Sequence, residues 1–161
     1  MTTKQNFNEC AHLGVPDVHK EVVATGGDTL ANLMKLQKDI QENVYGYDFN
    51  AMREKISSLK QFYDMNYHAI QDELREVFQA ITGIHSFPNA WKPWKSTHKE
   101  AMERKWDDLT EDEKKEFRME LVDLQHFLFN MMIAVDMTPE MLFNYYHSKN
   151  QENKDRQVRG Y

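Results

Sequence analysis

Apolar residues recur at the three- and four-residue spacing of an α-helix along most of this chain, and no segment alternates like a half-buried strand. The four prolines and six glycines among its 161 residues lie mostly between these helical stretches. The spacing therefore predicts an all-α fold, a helical bundle. Its length suits one domain over residues 1–161 with a sizeable buried core.

Capping residues and glycines set the expected helix boundaries. Residues 1–27 are expected to be irregular or partly helical, and residues 83–96 read as a loop with two prolines, two tryptophans and two lysines. Helices are expected over 29–44 (capped by Asp28 or Thr29, stopped near Gly46), 50–82 (with 64–66 as a candidate break, ending at Gly83), 97–106, 110–136 (opened by a Thr110–Glu113 capping box) and 138–157 (opened by Thr138 and Pro139).

Composition narrows the class of protein. No apolar run approaches the roughly 20 residues that cross a bilayer, and the polar start "MTTKQNFNE" lacks the apolar segment of a signal peptide. Cys10 is the only cysteine, which excludes an internal disulfide and suits a reducing cytoplasm. The net charge of −6 argues against nucleic acid as a general partner. We therefore expect a cytoplasmic protein that binds neither membrane nor nucleic acid.

The stretch "MELVDLQHFLFNMM" (119–132) combines nine large apolar residues with two acids. Glu120 and Asp123 are three apart, so an α-helix places both on one face. An unpaired carboxylate in a dry core costs several kcal/mol or takes up a proton. A positive partner is therefore expected beside them.

A second pair of acids, Glu73 and Glu76, lies in "HAIQDELREVFQAITG" beside a stripe of apolar residues. If the two helix faces meet, four carboxylates converge and cations must lie between them. Oxygen-only ligands select hard ions such as Mg²⁺ or Mn²⁺. The alternative is that either pair simply faces solvent, as such pairs do on many surface helices.

A competing metal site would use Asp123 with His126, a spacing found in di-iron bundles. Such bundles need a carboxylate–histidine pair from each of two helices, and the Glu73 helix offers no histidine at the matching position. We therefore predict that His126 is a hydrogen-bonded core histidine.

Phosphate-binding candidates lie on the last helix. Lys149, Asn153 and Arg156 are spaced i, i+4, i+7, which aligns an ammonium, an amide and a guanidinium on one face. That row suits a polyphosphate with a polar group nearby. A solvated face is the alternative.

The "WKPWK" loop could add positive charge through Lys92 and Lys95. Trp91 and Trp94 would either stack on a base or anchor the loop, and anchoring is expected for one of them.

The first helix places Gln37 within an apolar stripe that includes Leu30, Leu33, Met34 and Val44. A buried amide needs partners and offers both donor and acceptor, as the edge of a pyrimidine does. Gln37 is thus either a base-reading residue or a core amide satisfied by the protein.

Several stretches together resemble a known family. The chain resembles the all-α NTP pyrophosphatase superfamily, in particular its dimeric dUTPase branch and, within it, the dCTP/dUTP pyrophosphatases of T-even-type bacteriophages. The resemblance covers most of the chain and rests on "FNECAHL", "MKLQKDIQ", "DELRE", "WKPWK", "ELVDLQHFLFNM" and "KNQENKDRQVRGY". The two acid pairs followed by the Lys–Asn–Arg helix and a terminal R-G-Y are its most specific part.

The resemblance implies an Mg²⁺-dependent homodimer that hydrolyses dCTP and dUTP to the monophosphate and pyrophosphate, removing both during phage DNA synthesis. The family's ligands for two or three Mg²⁺ ions match Glu73, Glu76, Glu120 and Asp123, with Glu73, or otherwise Glu76, activating the attacking water. Phosphate would be bound by Lys95, Lys149 and Arg156, and base and sugar by Gln37 and Asn153.

One departure concerns Gln41, where dimeric dUTPases tend to carry asparagine. A rotatable amide satisfies either uracil or cytosine, which leaves room for dCTP. Open alternatives are a dUTP-specific or broader dNTP pyrophosphatase, and a catalytically idle helical protein that binds nucleotides.

Overall fold

The computed structural model of the protein describes residues 10–160, and all of the regular structure in that range is helical. The prediction of an all-α fold is thereby confirmed. The α-helices are α1 (Val18–Ala24), α2 (Thr29–Asp39), α3 (Phe49–Arg53), α4 (Ile56–Ile81), α5 (His98–Glu103), α6 (Glu111–Ala134) and α7 (Pro139–Arg159), with a π-helical turn at Ile40–Val44 and a 3₁₀ turn at Trp106–Asp108.

Most predicted boundaries are confirmed because local chemistry sets them. Asp28 accepts a hydrogen bond from the Ala31 N–H at the start of α2, and Thr138 does the same for Met141 at the start of α7. The capping box of α6 forms, with the Thr110 hydroxyl accepting from the Glu113 N–H and the Glu113 carboxylate accepting from the Thr110 N–H.

Three boundaries differ from prediction. The candidate break near residues 64–66 is absent, because α4 runs unbroken from Ile56 to Ile81 and the interruption lies earlier, at 54–55. The helix expected over 97–106 ends at Glu103, and a separate 3₁₀ turn follows at Trp106–Asp108. The helix expected to end near Asp136 ends at Ala134, and Asp136 adopts a left-handed φ of 58°. Since no proline or glycine marks these positions, only packing could have located them.

The described part of the chain divides into two compact units, residues 10–16 with 64–128 and residues 17–63 with 129–160. The prediction of a single domain stays a prediction. The second unit has an apolar core centred on two aromatic rings, with Phe49 and Phe62 in edge-to-face contact at 5.7 Å. The buried members of this core are Met34, Phe49, Met52, Phe62, Phe129, Ile133 and Ala134.

Helix α2 buries a polar face. Met34 is buried together with Gln37 and, in the π turn that follows, Gln41. The aliphatic residues predicted to form its core stripe are partly on the outside, with Leu33 at 53% and Val44 at 69% exposure, and the expectation of one apolar stripe is wrong to that extent. Leu36 is also exposed, at 68%.

The first unit contains a buried ion pair that joins the end of α4 to the start of α6. Glu113 is fully buried, and its carboxylate accepts hydrogen bonds from the Arg104 guanidinium at 3.1 Å and the Ser86 N–H at 3.0 Å. Gly83, with φ 79°, passes so close that a Cβ there would lie 2.1 Å from Arg104 Nη1. This clamp fixes both ends of the segment that contains the "WKPWK" loop.

Across the part of the chain that the structure describes, no helix has the length and apolar character needed to span a membrane.

Candidate metal centre

The inward face of α6 is acidic for three turns. Glu113, Glu116 and Glu120 are buried at 0%, 1% and 4% exposure, and Asp123 continues the row half-buried. Meanwhile Leu121 and Val122 on the same helix are 44% and 48% exposed. Because such a face is unfavourable without compensating charge, this polarity points to a site rather than to a simple core.

Three carboxylates from two helices converge. Glu73 of α4 and Glu120 and Asp123 of α6 each offer a carboxylate oxygen, and these oxygens all lie within 4.8 Å of one another. Among the acidic, histidine and cysteine side chains of the described residues, these three form the group that is placed to hold a metal ion. The alternative that both acid pairs face solvent is therefore wrong for these three residues.

Burial and mutual repulsion keep protons on this cluster when no cation is bound. Burial, followed by the charges of Asp123, Glu76 and Asp72, raises the pKa of Glu73 to about 7. Burial, followed by the charges of Glu76, Glu116 and Asp123, raises the pKa of Glu120 to about 8. Burial also raises the pKa of Asp123, with a smaller opposing effect from His126. A divalent cation would reverse these shifts.

The donor set fits a hard divalent cation. All of the converging atoms are carboxylate oxygens, the ligands that Mg²⁺ and Mn²⁺ prefer. Within the described residues, Glu120 Oε2 is fully buried and has no hydrogen-bond partner. A buried carboxylate oxygen with no donor is what a cation would satisfy.

Glu76 lies near the cluster but not in it. Its charge contributes to the raised pKa of both Glu73 and Glu120, yet its Oε1 is held by the Arg75 guanidinium at 3.0 Å. It is not among the three residues whose oxygens lie within 4.8 Å of one another. A rotation away from Arg75 would be needed before Glu76 could join them.

The prediction for His126 is wrong. Its side chain is 51% exposed, and its Nδ1 lies 3.7 Å from the Asp123 carboxylate rather than in a core hydrogen bond. Helical spacing places His126 one turn after Asp123, but it does not determine how far that side chain is exposed.

Sequence reasoning missed Glu116 and the segment that it holds. Glu116 Oε2 accepts the N–H groups of Cys10 and Ala11, at 2.8 and 2.7 Å. The available signal was the spacing of Glu113, Glu116, Glu120 and Asp123 at i, i+3, i+7, i+10, which extends the acidic face by two turns.

The last helix carries the phosphate candidates as predicted, since Lys149, Asn153 and Arg156 all lie within α7. Lys149 and Asn153 are exposed. Arg156 is half-buried, and its Nε donates to Glu152 at 3.0 Å. Tyr161, the end of the R-G-Y motif, lies outside the described residues.

In the loop, Lys95 is exposed, as is Trp94 at 74%. Trp91 is half-buried, with the Lys92 ammonium 5.1 Å from its ring centroid. Trp91 is thus the more buried of the two tryptophans, as expected of the one that anchors the loop, and Trp94 leaves an aromatic face accessible.

Gln37 is a buried amide with a protein partner, because its Nε2 donates to Asn130 Oδ1 at 2.6 Å. Gln41 is 5% exposed and lies in the π-helical turn. π turns are rare and recur at functional sites, so the position of Gln41 is consistent with a role in recognition.

Three known proteins are similar to this chain over most of its length. A dCTP pyrophosphatase of Enterobacteria phage T4 is 31% identical over 169 residues, covering 97% of this chain and 99% of that protein. A dCTP pyrophosphatase of Enterobacteria phage LZ5 is 32% identical over 174 residues, with the same coverage of 97% and 99%. A DNA replication protein of phage T4 is 30% identical over 158 residues, covering 90% of this chain but 40% of that longer protein.

No family model and no solved structure matches the chain. The two pyrophosphatases align with 97% of the chain and with 99% of their own length, at 31% and 32% identity. This chain therefore belongs to the dCTP pyrophosphatase family of T4-type bacteriophages.

Proposed function

We propose that this protein is an Mg²⁺-dependent pyrophosphohydrolase that converts dCTP and dUTP to dCMP and dUMP, releasing pyrophosphate. The observation that carries the proposal is the convergence of Glu73, Glu120 and Asp123 within 4.8 Å, in a chain aligned end to end with dCTP pyrophosphatases. Cleavage between the α- and β-phosphates is the reaction that the name pyrophosphatase describes for those relatives.

The metal ligands are Glu73, Glu120 and Asp123, with Glu76 as the fourth after it leaves Arg75. Two or three Mg²⁺ ions fit a site of four carboxylates facing a triphosphate, and Mn²⁺ would substitute. The bound ions would polarise the phosphate and offset its negative charge.

Glu73 is the proposed base, with Glu76 the alternative. Glu73 offers a carboxylate oxygen within the acidic cluster, and a carboxylate placed there can accept a proton from a water molecule. Once ionised, its carboxylate orients the attacking water and accepts its proton as the oxygen attacks the α-phosphate. The leaving group is pyrophosphate.

Substrate recognition is assigned by the family resemblance together with side-chain chemistry. Lys95, Lys149 and Arg156 bind phosphate oxygens, to which an ammonium or guanidinium donates strongly. Asn153 and Gln37 face the sugar and base, with Asn130 holding the Gln37 amide in place.

The protein acts as a homodimer in this proposal. Helix α2 and the π turn after it bury Gln37 and Gln41 and leave Leu33, Leu36 and Ile40 exposed at 53%, 68% and 39%. An aliphatic face of this kind is unfavourable in water unless another surface covers it. A second copy of the chain covers it in an arrangement related by a twofold axis.

The physiological role follows from the substrates. Removing dCTP and dUTP during phage DNA synthesis would keep cytosine and uracil out of the new DNA and release dUMP for pyrimidine synthesis. The setting is the cytoplasm of the host bacterium.

The decisive experiment is steady-state hydrolysis of dCTP, dUTP, dTTP, dATP and dGTP with Mg²⁺, measuring monophosphate and pyrophosphate separately. Glu120→Ala is the inactive control, and Glu111→Gln, an exposed acid on the same helix, is the matched active control. We expect hydrolysis of dCTP and dUTP by the wild type and Glu111→Gln, and none by Glu120→Ala.

Other outcomes select the alternatives. Hydrolysis of dUTP alone identifies a dUTPase and shows that Gln41 does not relax base selection. Hydrolysis of all five triphosphates identifies a broad dNTP pyrophosphatase. No hydrolysis, with nucleotide binding retained in equilibrium dialysis, identifies an idle nucleotide-binding protein.

A further inference from the structure

The segment from Cys10 to Leu13 is held on α6 by two adjacent side chains. A single oxygen, Glu116 Oε2, accepts both the Cys10 and the Ala11 N–H. The neighbouring Lys115 ammonium donates to the carbonyl oxygens of Ala11 and Leu13. Residues more than 100 positions apart in sequence are thus joined by four polar contacts.

This attachment lies one helical turn before Glu120. Glu116 is 1% exposed, and its second oxygen, Oε1, is fully buried without a hydrogen-bond partner among the described residues, as is Glu120 Oε2. The Cys10 and Ala11 N–H groups lie 2.8 and 2.7 Å from Glu116 Oε2, so the segment contacts the same face of α6 that carries Glu120. The segment therefore lies against the candidate metal centre.

We propose that Glu116 is a positioning residue that docks the Cys10–Leu13 segment beside Glu120, so that this segment forms one wall of the metal centre. The inference rests on the proposed metal site but not on the identity of the substrate. Docking fixes the turn of α6 from which Glu120 projects and keeps water from the buried side of the carboxylates.

The geometry distinguishes this role from that of a fifth metal ligand. Because one oxygen of Glu116 accepts both N–H groups, the single carbonyl oxygen of a glutamine can replace it. Glu116→Gln therefore preserves docking, whereas Glu116→Ala removes the acceptor.

Cys10 provides a specific readout because it is the only cysteine in the chain. The experiment measures the rate of Cys10 alkylation by iodoacetamide at fixed pH in wild type, Glu116→Gln and Glu116→Ala, followed by mass spectrometry. Both variants remove the same negative charge near the thiol, so only loss of docking distinguishes them. Mg²⁺ binding to the same proteins is measured by calorimetry, and circular dichroism verifies the helical fold.

We expect alkylation to accelerate roughly tenfold or more in Glu116→Ala, since two charge-assisted hydrogen bonds are lost, and to remain within about threefold of wild type in Glu116→Gln. Mg²⁺ affinity should fall about 10- to 100-fold in Glu116→Ala and little in Glu116→Gln.

Equal alkylation rates in wild type and Glu116→Ala would overturn the docking role. A loss of Mg²⁺ affinity as large in Glu116→Gln as in Glu116→Ala would overturn positioning in favour of direct ligation. If Mg²⁺ binds as expected but no nucleotide is hydrolysed, the proposed function fails while the docking result stands. If helical content is lost in Glu116→Ala, Lys115→Met replaces it in the alkylation assay, with the same expected acceleration and the same contradicting result.

Discussion

At the residue scale, the unusual groups are two buried acids whose surroundings shift their pKa values in opposite directions. Burial, followed by the charges of neighbouring carboxylates, raises the pKa of Glu120 to about 8. Glu113, two turns earlier on α6, is just as buried, yet donors surround it. Burial alone opposes ionisation at both sites, so the partners decide the outcome. A helix face with the same residue type thus carries a candidate metal ligand at one end and a structural ion pair at the other.

Glu120→Gln should increase stability in the absence of metal while removing activity. The pKa of Glu120 is about 8 in the folded protein and 4.5 in the unfolded chain. The contribution of Glu120 to the free energy of unfolding is therefore fully present below pH 4.5 and is lost as pH rises through about 8. In chelator, the Tm of the wild type should therefore fall between about pH 5 and pH 8, and that of Glu120→Gln should fall less. Calorimetric melting across this pH range tests the difference.

The same variant should reduce kcat/KM for dCTP by roughly 100-fold or more, because several kcal/mol of charge stabilisation depend on the metal. Glu111→Gln serves as the control, since Glu111 is exposed on the same helix and should retain the wild-type pH profile and activity. Parallel melting curves for Glu120→Gln and wild type at every pH would contradict the assignment.

At the element scale, α4 and α6 are joined by the clamp of Arg104 and Glu113. Burial raises the pKa of Glu113, but hydrogen bonds from Ser86, Thr110 and Arg104 outweigh it and hold the pKa at about 2. Glu73 lies on α4 and Glu120 lies on α6, the two helices that the clamp joins. The clamp therefore stabilises the frame on which the acidic cluster is built.

Glu113→Gln should cost about 3 kcal/mol at pH 7, because Arg104 loses its buried partner. The depressed pKa stabilises the fold above the unfolded value of 4.5, and this contribution is lost as pH falls through about 2. The deficit of the variant relative to wild type should therefore shrink between about pH 4.5 and pH 2. Urea unfolding at a series of pH values measures it, and a deficit independent of pH would contradict the ionic role of Glu113.

Gly83→Ala should disrupt the same clamp by steric conflict. Its Cβ would lie 2.1 Å from Arg104 Nη1 and 2.8 Å from Glu113 Oε1, and the φ of 79° is itself unfavourable for alanine. Gly46→Ala is a matched control, since Gly46 has a φ of 74° but no atom within 4 Å of an added Cβ.

We expect the free energy of unfolding to fall by about 3 kcal/mol or more in Gly83→Ala. In Gly46→Ala it should fall by about 1–2 kcal/mol, because only the unfavourable backbone conformation contributes. Denaturant unfolding compares the two variants directly. Equal losses would show that Arg104 moves aside without cost.

At the scale of the whole molecule, the outward aliphatic face of α2 determines the predicted assembly. Leu36 is 68% exposed at its centre, with Leu33 and Ile40 on either side. In a chain with 29% charged residues, a helix that hides its glutamines and exposes its leucines is best explained by a covered face. The homodimer therefore stays a proposal with a defined surface.

Leu36→Glu should dissociate the dimer, because two copies would bring like charges together in an apolar contact. Light scattering after size-exclusion chromatography should give twice the chain mass of 19.2 kDa for wild type and the single mass for the variant. Val23 on α1 is also apolar and is 52% exposed, and the Val23→Glu variant should remain dimeric. A monomeric wild type would overturn the proposal.

The sequence by itself determined the helical class, the caps of α2, α6 and α7, and the presence of two acids three residues apart on each of two helices. These features depend on local spacing and on side chains bonding to nearby backbone groups, so a window of a few residues contains them. Only the tertiary structure decided that His126 faces outward, that α2 buries Gln37 and Gln41, and that Glu116 holds Cys10. Each of those outcomes depends on groups brought together from distant parts of the chain, and helical periodicity fixes which residues share a face but not which face is buried.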